Sequence, residues 1–72
     1  MELFSMNADR VLKLSFRSNS KIRFYKILSR SGDLIQVSGV SQKFLLSIDI
    51  LADYCDIEFL EMDETQFKLL AS

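Results

Sequence analysis

Alternation of apolar and polar side chains near the start of the chain is the feature that most restricts its fold. Over residues 11–17, Leu12, Leu14 and Phe16 alternate with side chains that are mostly polar. A period of two is typical of a β-strand that buries one face. A Ser-Asn-Ser sequence and a run rich in β-branched and aromatic residues follow at residues 18–29. The pattern therefore predicts a β-hairpin at the start of the domain.

Two turn sequences bound the second strand. Asn19 tolerates left-handed backbone angles, and Gly32 in Arg-Ser-Gly-Asp takes the positive φ that a hairpin turn needs. The alternation between these turns is imperfect, which indicates a β-bulge near Tyr25 and Lys26 or an apolar residue on the outer face. A third strand over residues 34–40 then completes a three-stranded antiparallel meander.

Residues 42–56 admit two interpretations. We predict a helix capped by Ser41, because at helical spacing it places one apolar stripe toward the core: Phe44, Leu45, Ile48, Leu51, Ala52 and Cys55. The alternative makes residues 43–48 a fourth strand and begins a shorter helix at Ser47. That alternative leads to a small five-stranded β-barrel.

The remaining segment predicts one more strand and one more helix. Residues 57–62 alternate as a strand, and Asp-Glu-Thr-Gln at residues 63–66 resembles a capping box that opens a short C-terminal helix. The predicted fold is a single α+β domain over residues 1–72, in which the meander is followed by a helix, a strand and a terminal helix. A chain of this size buries only about 60% of its unfolded surface, so its stability is marginal without a partner.

Composition argues against catalysis. The chain has no histidine and one cysteine, so it lacks the commonest general base, the commonest zinc ligand and an internal disulfide. It has no P-loop, and its acidic stretch has no glycine for a calcium loop. We therefore predict that it is not an enzyme and that it uses no cofactor, metal ion or small-molecule substrate.

The expected compartment is the cytoplasm. The opening residues lack the pattern of a secretory signal, and no apolar run approaches the roughly 18 residues of a membrane span. Cys55 has no second cysteine to pair with, which suits a reducing compartment. We therefore expect no contact with a membrane.

Charge is unevenly distributed along the chain. Residues 1–32 carry seven basic and two acidic side chains, whereas residues 33–72 carry two basic and eight acidic ones. The two halves could neutralise each other inside the fold or serve a charged partner. The hairpin predicts a nucleic-acid-binding face of Lys13, Arg17, Lys21, Arg23 and Tyr25. The second half predicts an acidic surface of Asp49, Asp53, Asp56, Glu58 and Glu61.

A second apolar stripe points to a partner. On the predicted long helix, Leu46, Ile50 and Tyr54 recur every four residues, away from the core stripe. An exposed apolar helix face of this kind is typical of a surface that another protein chain covers. We therefore predict a protein-interaction module that regulates or inhibits a protein partner, with these residues as the partner or homo-oligomer interface. The alternative is a small protein that binds RNA or single-stranded DNA through the basic hairpin.

Overall fold

A five-stranded antiparallel sheet with two short helices forms the fold. The computed structural model describes residues 9–71. Its elements are β1 (Asp9–Phe16), β2 (Ile22–Ser31), β3 (Leu34–Ser38), β4 (Lys43–Ser47), α1 (Ile48–Ala52), β5 (Cys55–Met62) and α2 (Glu64–Ala71). The strands lie in the order β4-β3-β2-β1-β5, so β4 and β5 are the two edges. The α+β prediction is confirmed, and because the sheet stays open the barrel alternative is not favoured.

The turns form where the sequence predicts them, although one uses a different residue. Gly32 lies in the loop between β2 and β3 with φ +59°, as predicted. In the first turn the positive φ of 61° belongs to Ser20 rather than Asn19. Asn19 instead accepts a hydrogen bond through Oδ1 from the backbone N–H of Lys21, at 3.0 Å. Its side chain therefore closes the turn, as in an Asx turn, and the next residue adopts the left-handed backbone conformation.

The bulge in β2 lies further along the strand than predicted. The register with β3 shifts between Ile27 and Ser29, not near Tyr25 and Lys26. The pairing of β2 with β1 runs without a shift up to Lys26. The extra residue is accommodated where β2 has left β1 and pairs only with β3.

The long helix predicted for residues 42–56 is wrong, and the alternative interpretation of this segment is confirmed. Residues 43–47 form β4, which pairs with β3 so that Leu46 lies opposite Ile35. The helix α1 begins after Ser47, whose hydroxyl accepts a hydrogen bond from the backbone N–H of Ile50 at 3.3 Å. Strand pairing is favoured because it packs Leu46 against the sheet core. In the predicted helix, the same side chain would have been left uncovered.

Asp33 holds the start of α1 in place. Its carboxylate accepts hydrogen bonds from the Ser47 hydroxyl at 2.6 Å and from the backbone N–H of Asp49 at 2.7 Å. Its backbone carbonyl accepts a further bond from Ile48, at 2.9 Å. The Ser47 hydroxyl, followed by the Asp49 N–H, lowers the pKa of Asp33 because both bonds favour the charged carboxylate. One turn residue therefore fixes the transition from β4 to α1.

Side chains pack on both faces of the sheet. One face, here called the α1 face, buries a cluster that Ile48 and Leu51 of α1 help to cover: Leu12, Leu14, Ile35, Val37 and Cys55. The opposite face, here called the α2 face, buries Val11 and Met62 against Phe67 of α2. Asp63 supports this helix as predicted, since its side chain accepts a hydrogen bond from the Gln66 N–H at 2.8 Å. The inner strand β1 is therefore covered on both faces.

Two isoleucines offer a matched test of this core. Ile35 is fully buried, whereas Ile50 on α1 is 62% exposed. Truncating a buried isoleucine removes apolar contacts and leaves a cavity, so Ile35→Ala should cost about 2–5 kcal/mol in the free energy of unfolding. Ile50→Ala should cost less than about 1 kcal/mol, since its side chain is largely in water already. Urea unfolding followed by circular dichroism measures both, and equal losses would contradict the packing.

The Asp33 contacts predict a specific dependence on pH. A carboxyl whose pKa is lowered by folding contributes stability above its unfolded pKa of about 3.9, and loses that contribution as pH falls through the folded value. Acidification from neutral pH should therefore lower the urea midpoint of the wild type more than that of Asp33→Asn. Asp53→Asn changes a carboxyl at the other end of α1 and should retain the wild-type response. An identical acid response in all three proteins would rule out this role for Asp33.

Candidate functional site

Two of the predicted nucleic-acid-binding cations are engaged within the fold. Arg17 Nη1 donates to Asp56 Oδ1 at 2.8 Å, and its Nη2 donates to the backbone carbonyl of Ala52 at 2.8 Å. Lys13 Nζ lies 3.3 Å from Glu58 Oε1. These pairs form because β5 lies beside β1. Part of the charge asymmetry of the sequence is therefore neutralised between neighbouring strands.

The register of the first hairpin also divides the predicted basic face. Arg23 pairs with Leu14 and Tyr25 with Leu12, so both lie on the α1 face. Lys13 pairs with Phe24 and lies on the α2 face. The prediction that these cations share one face is therefore wrong, because alternation alone does not specify which residues of two strands lie opposite each other.

The predicted acidic residues occupy separate places. Asp56 and Glu58 lie on the α2 face, whereas Glu61 pairs with Arg10 and lies on the α1 face. Asp49 is in the first turn of α1, and Asp53 is the residue that caps its C-terminus. The alternation of β5 therefore separates Glu61 from the two other carboxylates of that strand.

The predicted apolar interface does not form one stripe. Leu46 belongs to β4 and packs half-buried against the core of the α1 face. Ile50 and Tyr54 are largely exposed, but α1 ends at Ala52, before Tyr54. Cys55 begins β5 and is buried, and this burial raises the pKa of its thiol. The three residues of the predicted interface are therefore distributed over a strand, a helix and a turn.

A different feature, the unpaired edge of β2, is the strongest candidate for a binding site. β2 has ten residues and β3 has five, and the two pair only from Lys26 onward. The backbone N–H of Phe16 donates to the Lys21 carbonyl at 2.8 Å. Because hydrogen-bonded pairs alternate along an antiparallel ladder, the N–H and C=O groups of Ile22 and Phe24 point away from β1. The register places no strand of residues 9–71 against them on that side.

A groove of about 250 Å³ runs along this edge. One wall is the end of α2, with Leu70 and Ala71, and the other is the loop between β3 and β4. The rings of Tyr25 and Phe44 meet edge to face at 5.5 Å between centroids and line the groove on the α1 face. Gly39 lies close to both rings. The groove thus combines exposed apolar side chains with an unpaired strand edge; we call it the β2 groove.

Basic side chains lie at one end of the β2 groove. Arg23 lines the groove and also a neighbouring hollow of about 230 Å³, which it shares with Phe16, Asn19 and Lys21. Arg23 and Lys21 are exposed. This end of the site is therefore suited to a carboxylate or another anion.

Sequence reasoning missed the β2 groove, although one signal for it was present. The predicted third strand, over residues 34–40, is shorter than the predicted second strand, over residues 21–29, and such a mismatch leaves part of the longer strand unpaired. The position of α2 beside the unpaired part had no sequence signal. No protein-family model, curated protein or solved structure matches the chain.

None of the helices within residues 9–71 is long and apolar enough to cross a membrane. In the same part of the chain, no three cysteine or acidic side chains are grouped closely enough to hold a metal ion.

The ion pairs between β1 and β5 predict a response to salt. Screening weakens attraction between exposed opposite charges, and each such pair contributes about 0.2–1 kcal/mol. Added sodium chloride should therefore lower the urea midpoint of the wild type modestly. The double variant Asp56→Asn with Glu58→Gln should lose part of this response, and Asp53→Asn should retain it. A midpoint that rises with salt would show that repulsion between like charges dominates instead.

Proposed function

We propose that the protein is a non-enzymatic interaction module that regulates or inhibits a protein partner by binding an extended segment of that partner in the β2 groove. The observation that carries this proposal is the edge of β2 that no strand of residues 9–71 pairs with, bordered by the apolar side chain of Leu70 on one side and those of Val40 and Phe44 on the other. An extended peptide that adds to such an edge gains backbone hydrogen bonds and places alternate side chains on the two faces. The groove is suited to that mode of binding.

The side chains around the groove predict the chemistry of the segment. Side chains of an added strand that point to the α2 face meet Ile22 and Leu70, which are apolar and about half exposed. Those that point to the α1 face meet Arg23 beside the aromatic ring of Tyr25. Since successive residues of a strand alternate between the two faces, the preferred segment alternates apolar and acidic residues. Its acidic residues pair with Arg23.

Single-stranded RNA or DNA is the alternative ligand. Lys21 and Arg23 line one hollow, and Tyr25 follows on the same strand, so a phosphate and a stacked base could bind there. Lys13 and Arg17 weaken this alternative because both already contact carboxylates of β5. Strand addition is favoured since it also uses the open backbone and the apolar walls.

We also propose that binding takes place in the cytoplasm. Cys55 is the only cysteine of the chain and is buried. A reducing compartment keeps such a thiol unpaired. The natural partner is therefore to be sought among cytoplasmic proteins.

The β2 groove can be tested with a short peptide that alternates valine and glutamate. In an NMR titration it should shift the backbone amide signals of residues 22–25 and 39–42. A peptide that alternates valine and lysine should shift them much less, because it sets like charges beside Arg23. Ile22→Pro should abolish the effect of the acidic peptide because proline lacks the N–H that points into the groove.

The matched control for this variant is Ile22→Ala. It removes the same side chain but keeps the N–H, so it should retain part of the binding. Circular dichroism checks that both variants are folded, which is expected because this N–H makes no bond to β1. Shifts confined to other surfaces would overturn the proposal. Tighter binding of oligouridine than of the acidic peptide, with salt-dependent affinity, would support the nucleic-acid alternative instead.

A further inference from the structure

Within residues 9–71, the outer edge of β4 offers a second set of unpaired backbone groups. Gly39 N–H donates to the Gln42 carbonyl at 2.7 Å, and Ile48 N–H donates to the Asp33 carbonyl at 2.9 Å. Both bonds join residues next to the ends of β4 to residues next to the ends of β3. Because hydrogen-bonded pairs alternate along an antiparallel ladder, they fix which backbone groups of β4 face β3. The groups that point away from the sheet are therefore those of Lys43 and Leu45 and the N–H of Ser47, whose carbonyl accepts the first bond of α1 as that of an N-cap residue does.

Apart from its short length and Lys43, this edge lacks the features by which proteins protect exposed strands. Its sequence is Lys-Phe-Leu-Leu-Ser, with one charge, no proline and no bulge. Leu45 at its centre is 67% exposed. The opposite edge, β5, carries three acidic side chains, which disfavour pairing with another strand of the same kind. Of the two edges of the sheet, β4 is the one that favours addition of a strand.

We propose that a second copy of the chain pairs with β4 in antiparallel orientation, about a two-fold axis at Leu45. In this register Leu45 lies opposite its own copy, and Lys43 lies opposite Ser47 of the second copy. All of these residues have backbone groups that point outward. The pairing therefore forms about four hydrogen bonds: two between the Leu45 residues, and one from each Ser47 N–H to the Lys43 carbonyl of the other copy. The two sheets join into one sheet of ten strands.

The side chains are compatible with this register. The two Leu45 side chains meet on the α2 face, where each is otherwise exposed to water. On the α1 face, Phe44 lies opposite Leu46 of the second copy, in a pair whose side chains approach closely. The two lysines are at opposite ends of the contact, so no like charges face each other. The nearest acidic residue beyond Ser47 in the chain of the second copy is Asp49, which complements the charge of Lys43.

A two-fold contact closes on itself and predicts a dimer. Pairing of β4 with β5 of another copy would instead continue from molecule to molecule and give larger assemblies. The contact spans only five residues, which is short for a permanent interface. We therefore expect a dimer that dissociates on dilution. It uses a different edge from the β2 groove, so either proposal can fail without the other.

Sedimentation equilibrium over a range of concentrations tests the dimer. The wild type should change from monomer to dimer as concentration rises. Leu45→Lys should stay monomeric because it sets two lysines opposite each other at the axis, and it should fold because this position is exposed. Leu34→Lys is the matched control: it makes the same change on the same face, one strand away from the edge, and should still dimerise. A monomeric wild type at millimolar concentration, or a larger assembly, would overturn the proposal.

Cysteine cross-linking tests the register. Under mild oxidation Leu45→Cys should form a disulfide-linked dimer, because opposite residues of an antiparallel pair are within disulfide distance. Lys43→Cys should cross-link far less, since its copy lies at the far end of the contact. The wild type is the negative control and should not cross-link, because its cysteine, Cys55, is buried. Equal cross-linking of the two variants would show that the pairing is not centred at Leu45.

Discussion

The antiparallel pairing of β1 with β5, along eight residues, is the contact on which the other features depend. It turns β1 into an inner strand, paired with β2 on one side and β5 on the other. It also brings the acidic end of the chain beside the basic beginning, so that Arg17 meets Asp56 and Lys13 meets Glu58. The helix α2 follows β5 directly and covers Val11. A small domain thereby buries apolar side chains on both faces of β1.

The surfaces left for binding follow from this arrangement. Charges that could have served a nucleic acid are partly used between β1 and β5. In the part of the chain that the structure describes, the open backbone lies elsewhere: at Ile22 and Phe24 of β2, where β3 is too short to pair, and along the outer side of β4. Both edges are flanked by exposed apolar side chains. The proposed strand addition and the proposed dimer therefore share one physical origin, which is an unsatisfied ladder of hydrogen bonds beside apolar surface.

Much of the strand pattern was predictable because it depends on local chemistry. The alternation of Leu12 and Leu14, the positive φ of Gly32 and the cap at Asp63 each involve residues near one another in the chain. The candidate site was not predictable in the same way. The groove needs the register of β2 against β3 and the position of α2, and neither is encoded in a short stretch of sequence. Asp33 was missed for the same reason, since its contacts with Ser47 and Asp49 join segments that are distant in sequence.

Residues 43–47 mark the boundary between what the sequence and the tertiary structure determined. The sequence by itself determined that this protein is an α+β domain with an antiparallel hairpin, because alternation and turn residues act locally. It left this segment compatible with both helix and strand, since its apolar residues suit either period. Only the tertiary structure decided between them: Leu46 packs beside Ile35 when the segment pairs with β3, and Ser47 is then free to cap α1. Long-range burial of apolar surface outweighed the weaker local preference for a helix.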